Sequence, residues 1–190
     1  MEDRRKLLIG ATGSVGVISL PHYLLAIKNR CADAEIKVLL SPTAQTFVQP
    51  NVIALFNEAI LDSLEADWAA DTNHIQLARW ADAMAVLPAS ADILARAAHG
   101  QANSLLSLTM LAFEGSIRFF PNMNRSMWTN PATQRNVGLL REFGHVVVDP
   151  PQEPSYEVST GEFEVGPVMP GPKAVAAMLH DVLYPADSES

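Results

Sequence analysis

Two polar segments of this 190-residue chain carry side chains suited to binding a small molecule. The first, GATGSVG at residues 10–16, directly follows an apolar run, and its glycines allow the backbone to approach a ligand closely. The second, PNMNRSMWTNP at residues 121–131, follows the apolar run SIRFF. It holds amides, thioethers, an arginine and an indole where an ordinary loop carries Gly, Ser and Asp. We therefore expect both segments to contribute to a binding site.

The glycine loop has the spacing G-x-x-G-x-x-G, formed by Gly10, Gly13 and Gly16. Amides at the start of the following helix favour an anion. The spacing matches neither the dinucleotide fingerprint G-x-G-x-x-G nor a P-loop, which ends in G-K-[ST]. Glycines that only allow a strand and a helix to pack closely give the same pattern. The loop by itself does not define a ligand.

Two further loops sharpen the interpretation. Ser41, Pro42 and Thr43 follow the second strand, where a dinucleotide site usually has an acidic residue for the ribose. Hydroxyl groups suit a phosphate better, and PASAD at 88–92 brings Ser90 to the same edge of the sheet. This convergence predicts a mononucleotide pocket, with FMN as the ligand and FAD as the alternative. The candidate cofactor-binding residues are Gly10, Thr12, Gly13, Ser14, Val15, Ser41, Thr43, Phe47, Pro88, Ala89, Ser90 and Ala91.

Short apolar runs alternate with stretches of helical periodicity along the chain. The runs KLLIG, IKVLL, AMAVLP, SIRFFP and HVVVDP lack polar alternation, which is typical of strands covered on both faces. Helical spacing lies between them, and Pro21 should kink the first helix or delay its start. The pattern predicts an α/β fold: a doubly wound, Rossmann-like or flavodoxin-like parallel sheet flanked by helices.

The whole chain, 1–190, is expected to be a single domain with its core at about 6–184. Residues 150–172 are rich in proline and glycine, which predicts an irregular excursion rather than part of the core. A last helix follows this segment, and residues 185–190 should form a disordered tail.

Composition excludes several classes of function. A formal net charge of −8 argues against a nucleic-acid partner, since phosphate binding needs clustered Lys and Arg. No apolar stretch is long enough for a membrane span, and the charged start is unlike a signal peptide, so we expect a cytoplasmic protein. The histidines are scattered and Cys31 is the single cysteine, which predicts no metal site and no disulfide.

Several motifs together resemble one family. GATGSVG, NHIQL, LPASADILARAAHGQANSLL and PNMNRSMWTNP occur in the order and at the spacing of the homo-oligomeric flavin-containing cysteine decarboxylases. That family includes the phosphopantothenoylcysteine decarboxylases and the peptidyl-cysteine decarboxylases of lanthipeptide biosynthesis, and the epidermin type is the most similar. The resemblance covers about residues 6–184, with PNMNRSMW as its most specific motif.

The resemblance implies roles for the residues of these motifs. PNMNRSMW would hold the terminal cysteine of a peptide, with the Asn124 amide bonded to its carboxylate. An ordinary helix N-cap is the alternative for Asn124, and core packing is the alternative for the two methionines. SYEVSTG in the tail would form a flap near the substrate, unless it is a plain surface hairpin. The implied substrate-binding residues are Pro121, Met123, Asn124, Met127, Trp128, Ser159, Thr160 and Gly161.

The implied reaction is oxidative decarboxylation of a C-terminal cysteine. Removal of hydride from the β-carbon, which is flavin chemistry, gives a thioaldehyde whose C=S bond accepts the electrons released with carbon dioxide. A base must take the thiol proton, and the match of NHI implies this role for His74. Asn124 is the second catalytic residue that the resemblance implies, through its bond to the carboxylate. His22, His99, His145 and His180 are its competitors, because an imidazole at any of these positions could accept a proton at neutral pH.

The cysteine count separates the subfamilies. The coenzyme A enzymes carry a further cysteine after the last strand, which reduces the intermediate, and this chain has none there. The expected product is therefore the enethiol of a precursor peptide ending in cysteine. Alternatives are a phosphopantothenoylcysteine decarboxylase, a non-catalytic flavin-binding subunit and a flavin prenyltransferase. The resemblance also implies a homotrimer or a dodecamer, in which His74 acts at a boundary between subunits.

Overall fold

The computed structural model of the chain describes residues 4–63, 73–157 and 160–185. Six strands form its central sheet: β1 Lys6–Ala11, β2 Glu35–Leu40, β3 Glu58–Leu61, β4 Ala83–Ala89, β5 Ile117–Pro121 and β6 Val146–Val147. They are parallel and lie in the order β3-β2-β1-β4-β5-β6. Helices cover both faces, so the predicted doubly wound α/β fold is confirmed.

Nine α-helices occur among the described residues. They are α1 Leu20–Arg30, α2 Pro42–Phe47, α3 Pro50–Ala54, α4 His74–Trp80, α5 Ala91–Ala98, α6 Leu105–Ala112, α7 Arg125–Trp128, α8 Pro131–Glu142 and α9 Pro172–Leu183. A 3-10 helix, Val15–Ser19, precedes α1, and Pro21 is the second residue of α1. Pro21 therefore delays the α-helix, as one of the two expectations had it, because proline is tolerated in a first helical turn.

The sheet separates two apolar cores. Successive side chains of a strand point to opposite faces, so Leu7 and Ile9 join one core while Leu8 joins the other. Helices α1 and α9 cover the first face, and α4, α5, α6 and α8 cover the second. Both faces of the strands are buried, which explains their uninterrupted apolar runs.

The order of the strands changes direction at β1 and β4, which are neighbours in the centre of the sheet. Strands β1 to β3 are laid down towards one edge, and β4 to β6 towards the other. The loops that follow β1 and β4 consequently lie side by side at the carboxyl edge. A crevice of this kind is the usual ligand site of an open α/β sheet.

Several short elements are not among those indicated by the sequence. Strand β3 has the polar-apolar pattern EAIL, and α2, α3 and α7 have six, five and four residues. Such short elements carry too few residues for a clear periodicity. Residues 91–113 form two helices, α5 and α6, because Gly100, with a φ of +62°, interrupts the helical conformation between them.

The segment after Pro150 differs from the expected irregular excursion. Strand β7, Gln152–Glu157, pairs with β8, Glu162–Pro167, as an antiparallel hairpin. Gly161 lies in the turn with a φ of +73°, where glycine is favoured. A two-stranded ribbon has only edge strands, so the prolines within it are tolerated. The segment therefore contains a regular hairpin, and its role as a flap over a substrate stays a prediction.

The expected disordered tail, 185–190, lies outside the described residues apart from Pro185. Within the described parts of the chain, no helix has the length and apolar character needed to cross a membrane.

Candidate active site

Thr12 joins the glycine loop to the end of β4. Its Oγ1 donates to the carbonyl of Pro88 at 2.7 Å and accepts from the amide of Ser90 at 2.9 Å. Its own amide donates to the same Pro88 carbonyl. The side chain is buried, so water does not compete for these bonds. Thr12 therefore fixes the loop after β1 and the loop after β4 relative to each other.

Each glycine of the loop allows a side chain from another element to come close. A Cβ on Gly13 would lie 2.3 Å from Cβ of Thr43, and one on Gly16 would lie 2.6 Å from Oδ1 of Asn122. A Cβ on Gly10 would lie 2.5 Å from Cδ1 of Leu106. Close packing, the structural alternative considered for these glycines, is thus real. It also leaves the backbone between the glycines open to a ligand.

The two predicted serines begin helices at the carboxyl edge. Ser41 Oγ accepts the amide of Ala44 at 3.2 Å, and Ser90 Oγ accepts the amide of Ile93 at 3.3 Å. Both are therefore N-caps of α2 and α5. A capping serine uses its oxygen as acceptor and keeps its hydroxyl hydrogen available to donate to a phosphate oxygen.

A cavity of about 940 Å³ lies between these loops. Residues with hydroxyl groups from all three loops contribute to its wall. Of the predicted cofactor-binding residues, those that line it are Thr12, Gly13, Ser41, Thr43, Ser90 and Ala91. The three loops therefore converge as expected.

A second cavity of about 680 Å³ adjoins the first, because Gly13, Ser90, Ala91 and Met127 line both. Its walls come from the glycine loop, from the PNMNRSMW segment and from the β7–β8 hairpin. The predicted residues in its lining are Gly13, Ser14, Val15, Phe47, Ser90, Ala91, Met123, Asn124 and Met127. The structure thus brings together the two segments that the sequence singled out.

Ser14 has a buried side-chain oxygen for which the described residues provide no hydrogen-bond partner. It stands at the N-cap position of the 3-10 helix but makes no side-chain capping bond. An unsatisfied buried hydroxyl is costly, and it usually indicates an absent ligand or water. Ser14 lines the second cavity, where a ligand could supply this hydrogen-bond partner.

Asn124 is the N-cap of α7, because its Oδ1 accepts the amide of Met127 at 2.9 Å. The N-cap alternative considered from the sequence is thus present in the structure. It does not exclude a binding role, since the same amide group also carries an NH₂ donor. Asn124 is exposed and lines the second cavity, so this donor can reach a ligand there.

The neighbours of Asn124 divide between core and cavity. Met123 and Trp128 are half-buried and pack against the core that contains Phe119. Met127 is 45% exposed and lines both cavities. Pro121 is buried at the end of β5, opposite Ala89. The side chain of Met123 therefore packs partly against the core, whereas that of Met127 faces open space.

His74 lies apart from both cavities in a single chain. It is the first residue of α4, is half-buried, and follows Asn73, whose Oδ1 caps the helix through the amide of Gln76 at 3.0 Å. Helix α4 packs against α6, and His74 is absent from the lining of either cavity. One chain alone does not bring this imidazole to the predicted binding residues.

Three predicted cofactor-binding residues lie beneath the cavity walls. Gly10 is in contact with Leu106, Pro88 uses its carbonyl to accept from Thr12, and the carbonyl of Ala89 accepts the amide of Asn122 at 2.9 Å. None of the three lines either cavity. In this structure they support the loops instead of forming the surface of the site.

The hairpin contributes different residues from those predicted. Thr160 and Gly161 form its turn, and Thr160 Oγ1 donates to Oε1 of Glu164 at 3.1 Å. Ser159 lies outside the described residues. The hairpin residues that line the second cavity lie within the strands, among them Ser155, Tyr156 and Val165. A turn projects beyond a strand pair, which places its residues further from the body.

Three charged residues of the first cavity, Asp62, Asp92 and Arg96, were not among the predicted site residues. Asp62, directly after β3, is 7% exposed and its Oδ1 accepts the amide of Leu106 at 2.9 Å. Burial raises the pKa of the Asp62 carboxyl, and hydrogen bonds led by that of Leu106 partly oppose the shift. Arg96 forms a 2.8 Å ion pair with Asp92 and also lines this cavity. The overlooked strand β3 was the missing signal for Asp62.

None of the four competing histidines lines either cavity. His145 Nδ1 accepts the amide of Ile117 at 3.3 Å, and burial lowers the pKa of the imidazole. His99 follows α5, where its Nδ1 lies 2.9 Å from the carbonyl of Ala95. His22 is exposed on α1, and His180 lies on α9. Among the residues that the structure describes, no three His, Cys, Asp or Glu side chains form a metal-binding group.

The fold and the two cavities define a nucleotide-type binding protein, and comparison with known proteins identifies its family. The model of the family described as Flavoprotein matches residues 1–172. The chain therefore belongs to this flavoprotein family.

Three relatives illustrate its position within the family. The chain is 34% identical to the mersacidin decarboxylase of Bacillus sp. (strain HIL-Y85/54728), across 83% of this chain and 79% of that protein. It is 34% identical to the epidermin decarboxylase of Staphylococcus epidermidis, across 87% and 88%. It is also 32% identical to the coenzyme A biosynthesis bifunctional protein of Vibrio vulnificus (strain YJ016), across 95% of this chain but 44% of that protein.

Solved structures agree with these relatives. The epidermin enzyme EpiD, as a histidine-to-asparagine variant in complex with the substrate peptide DSYTC, superposes with a TM-score of 0.82 at 32% identity, covering 93% of this chain and 99% of the other. The FMN-dependent cysteine decarboxylase SpaF gives a TM-score of 0.77 at 31% identity, with 94% and 97% covered. The predicted resemblance to flavin-containing cysteine decarboxylases is thereby confirmed.

Proposed function

We propose that this chain is an FMN-dependent decarboxylase that converts the C-terminal cysteine of a ribosomally made precursor peptide into an aminoenethiol. The observation that carries the proposal is the shared wall of the two cavities. Gly13 and Ser90 of the loops suited to a phosphate and Met127 of the PNMNRSMW segment line both spaces. A cofactor and a peptide terminus can therefore meet there. Peptidyl-cysteine decarboxylases among the relatives support the same activity.

The residues of the first cavity fit the phosphate and polar chain of FMN. Ser41, Thr43 and Ser90 offer hydroxyls, the glycine loop offers amides, and Arg96 offers a cation. The unpartnered hydroxyl of Ser14, which lies in the second cavity next to Gly13, is a further donor. Bound there, FMN supplies an acceptor for the hydride that leaves the cysteine β-carbon. FAD is the second candidate cofactor, because the first cavity is open enough for an adenylate to extend outwards.

At the substrate end, Asn124 donates its NH₂ group to the peptide carboxylate. Its oxygen is held by the amide of Met127, so the orientation of the amide is fixed. A neutral donor binds the carboxylate without the strong charge pairing that would oppose loss of carbon dioxide. Met123 and Met127 supply soft, adaptable walls beside the substrate sulfur. Pro121 and Trp128 lie next to these residues in the chain, and Ser159, Thr160 and Gly161 are proposed as further contacts of the peptide.

His74 takes the thiol proton of the substrate cysteine. An imidazole can accept a proton on a ring nitrogen, which makes histidine a side chain suited to this step. Since His74 lies outside both cavities of its own chain, we infer that it acts at the cavity of a neighbouring copy. A homotrimer, alone or stacked into a dodecamer, would create such a boundary.

The product leaves as the enethiol because the chain has no cysteine to reduce it. Cys31 is buried after the last turn of α1. That helix runs back towards the amino edge of the sheet, away from the proposed site. The electrons therefore pass to oxygen or another acceptor. The lack of such a cysteine disfavours the phosphopantothenoylcysteine reaction. That reaction is the second candidate, because the chain is similar to the coenzyme A protein.

One assay separates the candidates. The purified protein, loaded with FMN, is incubated with a peptide ending in free cysteine and the peptide mass is measured. The proposed reaction removes carbon dioxide and two hydrogens, about 46 Da. A loss of about 44 Da would instead indicate re-reduction. An unchanged mass, with FMN bound, would favour a non-catalytic flavin-binding subunit. The precursor classes to test are lanthipeptides, linaridins and thioamide-containing peptides.

A further inference from the structure

Asn122, the second residue of the PNMN motif, bridges three loops at the carboxyl edge. Its side-chain Oδ1 accepts the backbone amide of Gly16 at 2.9 Å. Its backbone amide donates to the carbonyl of Ala89, also at 2.9 Å. The residue is half-buried and lines the second cavity. The contact with Gly16 is close enough that a Cβ on Gly16 would collide with the Asn122 amide.

The amide of Gly16 belongs to the first turn of the 3-10 helix that follows the glycine loop. First-turn amides have no partner inside their own helix, and an N-cap side chain normally accepts from one of them. Ser14 occupies the N-cap position but makes no capping bond. The oxygen of Asn122, from the end of β5, satisfies the Gly16 amide instead.

We propose that Asn122 is a positioning residue that caps this helix from another strand and so leaves the Ser14 hydroxyl free for the cofactor. The inference rests on the proposed FMN site. Its basis is the coincidence of three features: a cap position without a capping bond, an amide oxygen that performs the task from across the sheet, and a buried serine oxygen without a partner. Were Asn122 absent, Ser14 would turn to cap its own helix, as serine does elsewhere.

A double-mutant cycle on FMN affinity tests the proposal. FMN dissociation constants are measured by flavin fluorescence for the apo forms of wild type, Asn122→Ala, Ser14→Ala and the double variant. We expect each single change to weaken FMN binding about tenfold, the effect of one lost hydrogen bond. The double variant should be no weaker than either single one, because both remove the same cofactor contact. If the loss of FMN affinity in the double variant equals the product of the two single losses, the proposal is wrong.

Two further variants separate the hydrogen bond from general packing. Asn122→Asp keeps an acceptor for Gly16 and should bind FMN within about threefold of wild type. Asn136→Ala, at a half-buried asparagine on α8 away from both cavities, should leave FMN affinity unchanged. An Asp variant as weak as the Ala variant would contradict the capping role. If Asn122→Ala fails to fold, Asn122→Ser, which is too short to reach Gly16, replaces it.

Amide hydrogen exchange provides a readout that needs neither cofactor nor turnover. In apo wild type the Gly16 amide should be protected, and Asn122→Ala should accelerate its exchange while amides of the central strands are unchanged. Equal exchange rates at Gly16 would refute the contact. A protein that passes this test and the FMN cycle but leaves the cysteine peptide unchanged would overturn the proposed decarboxylation and leave the role of Asn122 intact.

Discussion

Asn124 shows how one side chain can serve the fold and the proposed reaction together. Its oxygen caps α7 through the Met127 amide, and its NH₂ group remains the half of the amide that donates. The cap orients the amide before a substrate arrives, so the donor needs no ordering on binding. Preorganisation of this kind is the main way in which a site improves affinity without new contacts.

Replacement of Asn124 by serine should separate these two roles. Serine caps helices about as well as asparagine, so the free energy of unfolding should change by only a few tenths of a kcal/mol. The serine lacks the NH₂ donor, and kcat/KM for the cysteine peptide should fall at least tenfold, as expected for a lost hydrogen bond to a charged group. Urea unfolding and peptide mass spectrometry measure the two effects. Unchanged kcat/KM would remove Asn124 from the substrate site.

His74→Asn should leave FMN bound and abolish the mass change. The substitution removes the proton acceptor but none of the groups that line the two cavities. The matched control is His22→Asn, at an exposed histidine on α1, which should keep wild-type turnover. Flavin absorbance and peptide mass report the two properties. Retained turnover in His74→Asn would place the base elsewhere.

The buried carboxyl of Asp62 predicts a pH-dependent difference in stability. Its folded-state pKa is raised by burial, so above about pH 4, the ordinary pKa of Asp, the folded state binds more protons than the unfolded state. The contribution of Asp62 to the free energy of unfolding is therefore fully present below that pH, and it is lost as pH rises through the folded-state pKa. Asp62→Asn should become progressively more stable relative to wild type over this window. Urea unfolding of both apo proteins between about pH 3.5 and 7 measures it; a pH-independent difference would contradict the shift.

At the scale of elements, the site is built where helices begin. Ser41, Ser90 and Asn124 each cap a helix whose first turn borders a cavity, and Asn122 caps the 3-10 helix from outside. Capping fixes the start of each helix relative to the strand before it. The cavity walls are therefore held by short-range bonds of the loop residues and by the sheet beneath them.

The β7–β8 hairpin is the least embedded part of the site. The rings of Tyr156 and Phe163 contact each other edge to face, with their centroids 5.6 Å apart. The two residues are nevertheless 58% and 78% exposed. Tyr156 lines the second cavity, so Tyr156→Ala should raise KM for the peptide about fivefold or more, the cost of one aromatic contact, with kcat little changed. Glu153→Ala, exposed on the same hairpin and outside the lining, is the control. A KM equal to that of the control would argue against a hairpin contact with the peptide.

At the scale of the whole molecule, His74 and Asn124 are separated within one chain. If His74 completes the site of a neighbouring copy, a mixed assembly of His74→Asn and Asn124→Ser chains contains some sites in which both residues are intact. Random mixing in a cyclic oligomer gives about one quarter of such sites. Co-refolded mixtures should therefore regain about a quarter of wild-type activity.

The same preparations test the assembly itself. Light scattering should give about three or twelve times the 20.6 kDa chain mass. Mixtures that remain as inactive as the average of the two separate variants would show that His74 serves its own chain. A species of 20.6 kDa with full activity would exclude an obligatory partner copy.

The sequence by itself determined the class of fold and the segments of the site. Strands buried on both faces must be uniformly apolar, so β1, β2, β4 and β5 were evident from their composition. Glycines and capping residues act over a few positions, so the glycine loop and PNMNRSMW were visible as local patterns. Strand β6 was found but is shorter than predicted, and β3 was missed because its four residues alternate in polarity.

Only the tertiary structure decided which of these residues meet. The bond from Asn122 to Gly16 joins positions 106 residues apart, and that from Leu106 to Asp62 spans 44. It also placed Gly10, Pro88 and Ala89 beneath the surface of the site and left His74 outside both cavities. Local propensity acts between near neighbours in the chain, whereas these contacts depend on the order of strands in the sheet and on packing between distant segments. That is the physical reason why many residues of the candidate site could be named from the sequence, whereas their arrangement could not be predicted.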